Sequence, residues 1–325
     1  MSALLIRSFG IPTTVLEDAE TADRSLEAGE VRMKILAAPI NPADLNWIEG
    51  TYGTRPILPE TPGTEGVGEI IETTDALFPI GQRVMFIYYA HSWQEQRICA
   101  TSQLYRVPAE VDPLQLAMLK VNPATAWLMI HHFTQLGGNF CLVQNAANSA
   151  VGQCVIQIAR VLGITTINFL RNAKMIPELM RLGADAVFTD DNAGIDAARA
   201  FISERGLQVK LALNAVGGDS ALRLLNLLSL RGVHVTYGAM GRRPLTIPNK
   251  FLIFQDIQIR GFWLTNWLEN TDMAEIHATY DSLAALMQRH ALTQKVDSVY
   301  PLSDYASALA RLSNPARCGK VLFSI

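Results

Sequence analysis

Residues Gln144–Gln153 read "QNAANSAVGQ", and the reading of this run decides how the middle of the chain folds. A strand-like "FCLV" enters it and a helix-like "AVGQCVIQIARVLG" leaves it, the context in which a dinucleotide-binding βα turn is built. A helix N-terminus offers free N–H donors and the positive end of the helix dipole, which suits a pyrophosphate. The usual three glycines are not all there. Ala147 and Ser149 hold the first two positions, and Gly152 remains at the third, where helix and strand must approach closely. An ordinary βα turn with one packing glycine would read the same way.

Outward from the turn, residues 139–267 alternate between two periodicities. "FCLVQNA", "ITTINFL", "ADAVFTD", "VKLALNAVGG", "GVHVTYGAM" and "IQIRGFWL" read as strands, with helix-like segments such as "IPELMRLG", "GIDAARAFISERG" and "SALRLLNLLSL" between them. Such alternation implies βαβ units and a doubly wound parallel sheet. Before about Pro108 the texture differs. "VRMKILAAPI", "GVGEIIETT" and "QRVMFIYYA" are short apolar runs separated by Pro- and Gly-rich turns, which predicts a mostly-β unit. The tail "MAEIHATYDSLAALMQRH" has helical spacing, and "GKVLFSI" reads as a last strand.

The 325 residues suggest two domains. With 49% hydrophobic and 18% charged residues the chain can fill sizeable cores. A formal charge of −3 leaves no footprint for nucleic acid. No membrane span is expected, since Arg160 interrupts the best apolar stretch. Cys99, Cys141, Cys154 and Cys318 form neither a C-x-x-C pair nor a zinc-finger spacing, and read as free thiols. These thiols, with a start that is neither signal-like nor rich in Arg and Ser, predict a cytoplasmic protein.

The second strand of the alternating region ends "NFLRN". An NAD site places an acid in this neighbourhood, to hold the ribose 2′-hydroxyl. Here Arg171 stands instead, and a guanidinium there suits the 2′-phosphate of NADP. NADPH is therefore the expected cofactor.

The runs "INPADLNWIEGTYG", "KVNPATAW", "VQNAANSAVGQCVIQIA", "LALNAVGG", "VTYGAM" and "LIFQDIQIRGFWL" occur in order along nearly the whole chain. In this the sequence resembles the mitochondrial-type trans-2-enoyl thioester reductases of the medium-chain dehydrogenase/reductase superfamily. The resemblance implies an α/β protein: a GroES-like mostly-β catalytic domain, residues 1–119 and 266–325, around a Rossmann domain, residues 120–265. It implies Tyr52 as catalytic acid and Asn122 at the nicotinamide site. It further implies Asn148, Ser149, Ala150, Val151 and Gly152 at the pyrophosphate, and Arg171 with Asn172 at the 2′-phosphate. Tyr237, Gly238, Ala239 and Met240, then Phe262, Trp263 and Leu264, match strands along which the cofactor lies, and Lys320 matches a further contact. The implied substrate is an acyl-CoA or acyl-carrier-protein thioester, and the implied assembly a homodimer. Two positions depart from the pattern: Ala150 stands where glycine is frequent, and Ala173, followed by Lys174, where a second arginine is frequent.

Zinc enzymes of the same superfamily need a cysteine early and a Gly-His-Glu later. The corresponding runs here are "INPAD", without cysteine, and "PGTEG", with Thr64 in place of histidine. His131 and His132 are adjacent and face different ways on a helix. His234, inside an apolar strand, reads as a satisfied core histidine. No metal site is expected.

"NPADLNWIEGTYG" reads as a short helix with Asn41 as N-cap, Pro42 at the first helical position, Asp44 near the positive end and Gly50 as the stop. It presents Tyr52 just beyond its end. Asp44 and Asn46 either orient this platform or simply cap it, and Trp47 reads as packing. A phenol with an ordinary pKa of about 10 is neutral at pH 7 and can donate to an enolate oxygen. Locally, a turn tyrosine packing its ring is the other reading. Arg242 and Arg243 in "GRRP" could meet a CoA phosphate or form a solvated turn. Two rival functions stay open: a zinc-free NADPH quinone or enone reductase, and a non-catalytic NADPH-binding redox sensor. Turnover of an enoyl-CoA against a quinone separates the first, and any substrate-dependent NADPH oxidation excludes the second.

Overall fold

The computed structural model describes all 325 residues, which fall into two compact units: Met1–Val121 with Leu268–Ile325, and Asn122–Trp267. The first unit holds β1 (Ser2–Ile6), β2 (Leu16–Glu20), β3 (Glu30–Pro39), β4 (Val67–Thr73), β5 (Arg83–Phe86), β6 (Gln96–Ala100) and β7 (Leu104–Arg106). The second holds β8 (Phe140–Gln144), β9 (Thr166–Leu170), β10 (Ala186–Thr189), β11 (Gln208–Asn214), β12 (Val233–Thr236) and β13 (Gln258–Gly261). The chain then returns to the first unit for β14 (Val296–Pro301) and β15 (Lys320–Ser324). No helix is long and apolar enough to cross a membrane.

In the first unit a seven-stranded sheet runs β14-β15-β3-β4-β5-β7, with β6 also paired to β3. The long strand β3 explains the arrangement. Its residues Val31, Met33 and Ile35 alternate inward and bury against Ile70, Val84, Phe86 and Leu104. Its end, Ala37 to Pro39, is buried throughout and pairs with β15 at Leu322–Ser324. A second cluster joins Leu4, Ile6, Trp47, Ile48, Trp93 and Phe323, so both ends of the chain pack on the helix Pro42–Ile48.

The second unit is a six-stranded sheet, parallel throughout, in the order β10-β9-β8-β11-β12-β13. Numbered from its own first strand this is 3-2-1-4-5-6, the Rossmann order. In β9 all five residues are buried. Ile167 and Phe169 join the core with Val143, Leu224 and Phe251, while Leu170 joins Ile156 and Leu179 on the opposite face.

Asn41 sits at the N-cap position as anticipated, its backbone N–H donating to Asp44 in a capping box, while its side-chain amide reaches the buried charges described below. His234 is fully buried in its strand. Burial pushes its pKa down to about 4 and keeps it neutral.

Candidate active site

The helix Pro42–Ile48 carries the platform for Tyr52. Asp44, completely buried, accepts from the N–H of Asn41 at 2.7 Å, from the N–H of Thr64 at 2.7 Å and from the Thr64 hydroxyl. These bonds fasten the helix start to the loop before β4. The freed Asn41 amide works elsewhere: its Nδ2 donates to Glu65 at 2.9 Å, and its Oδ1 accepts from the Lys320 ammonium. Lys320 also donates to the Ile40 carbonyl at 3.1 Å. The other Glu65 oxygen accepts from the N–H of Val121 at 2.8 Å, and Lys120 donates to the carbonyls of Thr64 and Tyr88. Two carboxylates and two ammonium groups are thus buried together and balance in formal charge. Burial raises the pKa values of Asp44 and Glu65 and lowers that of Lys120.

At its other end the helix stops at Gly50, whose φ of +72° is the left-handed conformation the sequence anticipates. The N–H groups of Thr51 and Tyr52 both donate to the Asn46 carbonyl, at 2.9 and 3.1 Å. Asn46, exposed, therefore contributes its backbone to the platform. Tyr52 is half-buried and packs on the cluster that contains Trp47. Trp47 is buried and stacks on Tyr89, with ring centroids 5.0 Å apart and planes 17° apart.

In the second unit the turn after β8 opens a helix, Ala150–Leu162, with Ser149 as N-cap accepting from the Gly152 N–H at 3.1 Å. A Cβ at Gly152 would lie 2.7 Å from the Ala147 carbonyl oxygen, so no larger residue fits without a shift. Asn148 is exposed, and Ala150 and Val151 are part-exposed in the first turn. Arg171 and Asn172 are exposed just beyond β9, and the Asn172 side chain accepts from the Lys174 N–H. Tyr237, Gly238, Ala239 and Met240 follow β12, and Phe262, Trp263 and Leu264 follow β13. The Tyr237 hydroxyl is buried, and burial raises its pKa. All these positions share the carboxyl edge of one parallel sheet, where open α/β sheets bind ligands. Asn122 is buried and begins the helix Asn122–His132. Tyr52 and Lys320 belong to the first unit.

Beneath that edge lies a network the sequence reading missed. Gln144 donates to the Gly152 carbonyl at 2.9 Å and to Asn168 at 2.7 Å, and Asn168 donates to Thr166 and to the Ala186 carbonyl. Asn145 donates to Asn214 and Ser220, both at 2.8 Å, and accepts from the Ala215 N–H. Asn214 in turn accepts from the N–H groups of Val216 and Gly217. Ser220 donates to Asp190, which Arg223 also binds at 2.7 Å. The signal was present: each amide falls within or just after an otherwise apolar strand, where a buried polar group must find partners.

A metal does not fit the first unit's polar cluster. Thr64 and Asn41 are committed to carboxylates, both carboxylates are held by protein donors, and two ammonium groups stand beside them. His131 and His132 are exposed at the last turn of their helix, and His131 bonds the Trp127 carbonyl. Arg242 and Arg243 are exposed in a turn.

A Rossmann unit with this turn, joined to a mostly-β unit built from both chain ends, defines a two-domain oxidoreductase of the medium-chain dehydrogenase/reductase class. Family profiles agree. "Alcohol dehydrogenase GroES-like domain" matches residues 27–108, and "Zinc-binding dehydrogenase" matches residues 150–282. The chain is 35% identical to a mitochondrial enoyl-[acyl-carrier-protein] reductase of Dictyostelium discoideum, over 98% of this chain and 93% of that protein. It is 36% identical to the one of Homo sapiens, over 99% and 88%. The chain belongs to the family of mitochondrial enoyl-[acyl-carrier-protein] reductases. Among solved structures it is similar to a complex of Etr1p with NADP and crotonyl-CoA, with a TM-score of 0.89, 28% identity and coverage of 100% and 99%. It is also similar to a putative NADPH:quinone reductase from Bacillus thuringiensis, with a TM-score of 0.91, 27% identity and coverage of 100% and 98%. The cytoplasmic placement expected from the sequence is overturned. The finding that overturns it is that the relatives are named as mitochondrial.

Proposed function

We propose that the protein reduces trans-2-enoyl thioesters, carried on CoA or on acyl-carrier protein, with NADPH. The observation that carries this reading is a tyrosine fixed at the end of a helix that a buried charge network pins in place, in a chain of the enoyl-[acyl-carrier-protein] reductase family.

Asn148 to Gly152 would hold the pyrophosphate, with the N–H donors of the helix start turned to it. Arg171 and Asn172 would hold the 2′-phosphate. Asn122, residues 237–240 and residues 262–264 would line the remainder, with Lys320 the further contact that the resemblance implies. The close approach at Gly152 and the exposed guanidinium after β9 fit such a group. When bound, NADPH supplies a hydride for Cβ of the substrate. Negative charge then develops on the thioester carbonyl oxygen. Tyr52 donates its hydroxyl hydrogen to that oxygen or delivers the proton to Cα, and no metal is used. Removing one such donor costs on the order of a hundredfold or more in turnover.

The quinone-reductase neighbour supports a second reading, since reduction of a quinone needs the same cofactor and the same kind of donor. Assemblies of two copies are proposed in either case. NADPH oxidation measured over 2-enoyl-CoAs of increasing length, and over a simple quinone, separates the readings. Turnover of the thioesters well above that of the quinone is expected. Quinone turnover alone would overturn the proposal.

A further inference from the structure

The two ends of the Tyr52 platform are fastened differently. The start of the helix is locked inside the fold by Asp44. The stop at Gly50 is buried beneath Phe9, and what holds it there comes from two other places in the chain.

The N–H of Gly50 is used inward, donating to the Trp47 carbonyl at 3.1 Å. Its carbonyl accepts from Nε of Arg55 at 2.9 Å. Phe9 fills the hollow that the missing side chain leaves: a Cβ on Gly50 would lie 2.8 Å from Cγ of Phe9. The Arg55 guanidinium stands over the same ring, 5.8 Å from its centroid. The N–H of Gly10 donates to the Ile48 carbonyl at 3.2 Å, which keeps Phe9 against the turn. Arg55 therefore closes a loop of six residues, Gly50 to Arg55, with Tyr52 inside it.

We propose that Arg55 is a positioning residue for the Tyr52 hydroxyl, acting through the Gly50 carbonyl with Phe9 as its backing. The inference rests on the reading of Tyr52 as the hydrogen donor. The Arg55 side chain is exposed and its bond to the Gly50 carbonyl is only part-buried, so losing it should cost modest stability. Geometry is another matter. The turn would lose its outer tether, and a displacement of about 1 Å in a reacting group costs up to about a hundredfold in rate. A residue that matters little to folding can thus matter a good deal to turnover.

The test is a double-mutant cycle on the full-length protein, with crotonyl-CoA and NADPH. Arg55→Ala is expected to lower kcat by about tenfold or more, leaving the NADPH Kd within about twofold and Tm within a few degrees. Arg55→Lys, which keeps the charge but loses the planar Nε–H, is expected to restore part of that loss. Adding Arg55→Ala to Tyr52→Phe is expected to cost nothing further, because the tether acts through the hydroxyl that is already gone. Losses that multiply would mean that Arg55 acts on the substrate itself, and would overturn the inference. So would a KM increase with the CoA thioester, absent with the N-acetylcysteamine thioester and with kcat unchanged, since Arg55 would then hold the carrier's phosphates. Should Tyr52→Phe alone retain normal turnover, the functional reading fails and this inference with it. Should Tyr52→Phe cut turnover and Arg55→Ala leave it intact, only the inference fails.

Discussion

The candidate residues of the first unit and those of the second rest on different kinds of buried polarity. In the unit that carries Tyr52 four charged groups are buried, Asp44, Glu65, Lys120 and Lys320, and the Asn41 amide bridges two of them, Glu65 and Lys320. Under the cofactor turn lie the amides of Gln144, Asn145, Asn168 and Asn214, which carry no charge. An amide both donates and accepts and does not titrate, and these amides reach a charge through Ser220, which accepts from Asn145 and donates to Asp190. Charged hydrogen bonds are individually stronger, but they carry a desolvation cost that only complete pairing offsets. The platform should therefore be the more sensitive of the two to loss of a single partner.

That contrast can be broken most forcefully at Lys320. Lys320→Met leaves Glu65 and the Asn41 amide without their buried cation, and a loss of about 3–5 kcal/mol in stability is expected. Urea denaturation checks it. Loss of NADPH affinity with stability unchanged would show instead that this ammonium serves the cofactor more than the network.

On the other side, Arg171→Ala is expected to lower NADPH affinity by about 1.5–3 kcal/mol, the range of one hydrogen bond to a charged group. The Michaelis constant for NADH should hardly move. Equal effects on both cofactors would remove the 2′-phosphate role. An intermediate effect on folding is expected at Asn145. Asn145→Ala strands the buried Ala215 N–H and should cost about 1–3 kcal/mol, with a midpoint shift that is the same at pH 6 and pH 8.

The effect that is smallest near neutrality sharpens the contrast in pH. His234 is a buried titrating group in the second unit. Its folded pKa of about 4 lies below the ordinary histidine value of 6.5. Above pH 6.5 both folded and unfolded states are neutral there, and the residue contributes no slope. As pH falls from 6.5 toward 4 the unfolded chain takes the proton first, so stability falls by up to roughly 1.4 kcal/mol per pH unit. His234→Leu should flatten that part of the stability profile, and denaturation midpoints at pH 7, 6 and 5 would reveal it.

Much of this architecture could be read from residue order. Alternation of strand and helix periods yields the parallel sheet, and the turn before Gly152 falls on its carboxyl edge as anticipated. The stop at Gly50 and the packing of Trp47 were equally legible. What could not be read were the partners of polar groups distant in sequence. Asn41 looks like a cap because Asp44 is near in sequence, whereas Glu65 and Lys320, which engage its side chain, reach it only in the fold. The amides of the second unit hide for a like reason, as single polar letters in apolar strands. The burial of His234, by contrast, was foreseeable from the apolar strand around it.

The central claim is that the Tyr52 hydroxyl supplies the hydrogen bond or proton that the developing enolate needs. The most direct measurement is the kcat of Tyr52→Phe with crotonyl-CoA at saturating NADPH, beside the NADPH Kd of the same variant. A fall of roughly a hundredfold or more in kcat with Kd unchanged is predicted. Turnover within a few-fold of the unaltered protein would contradict it.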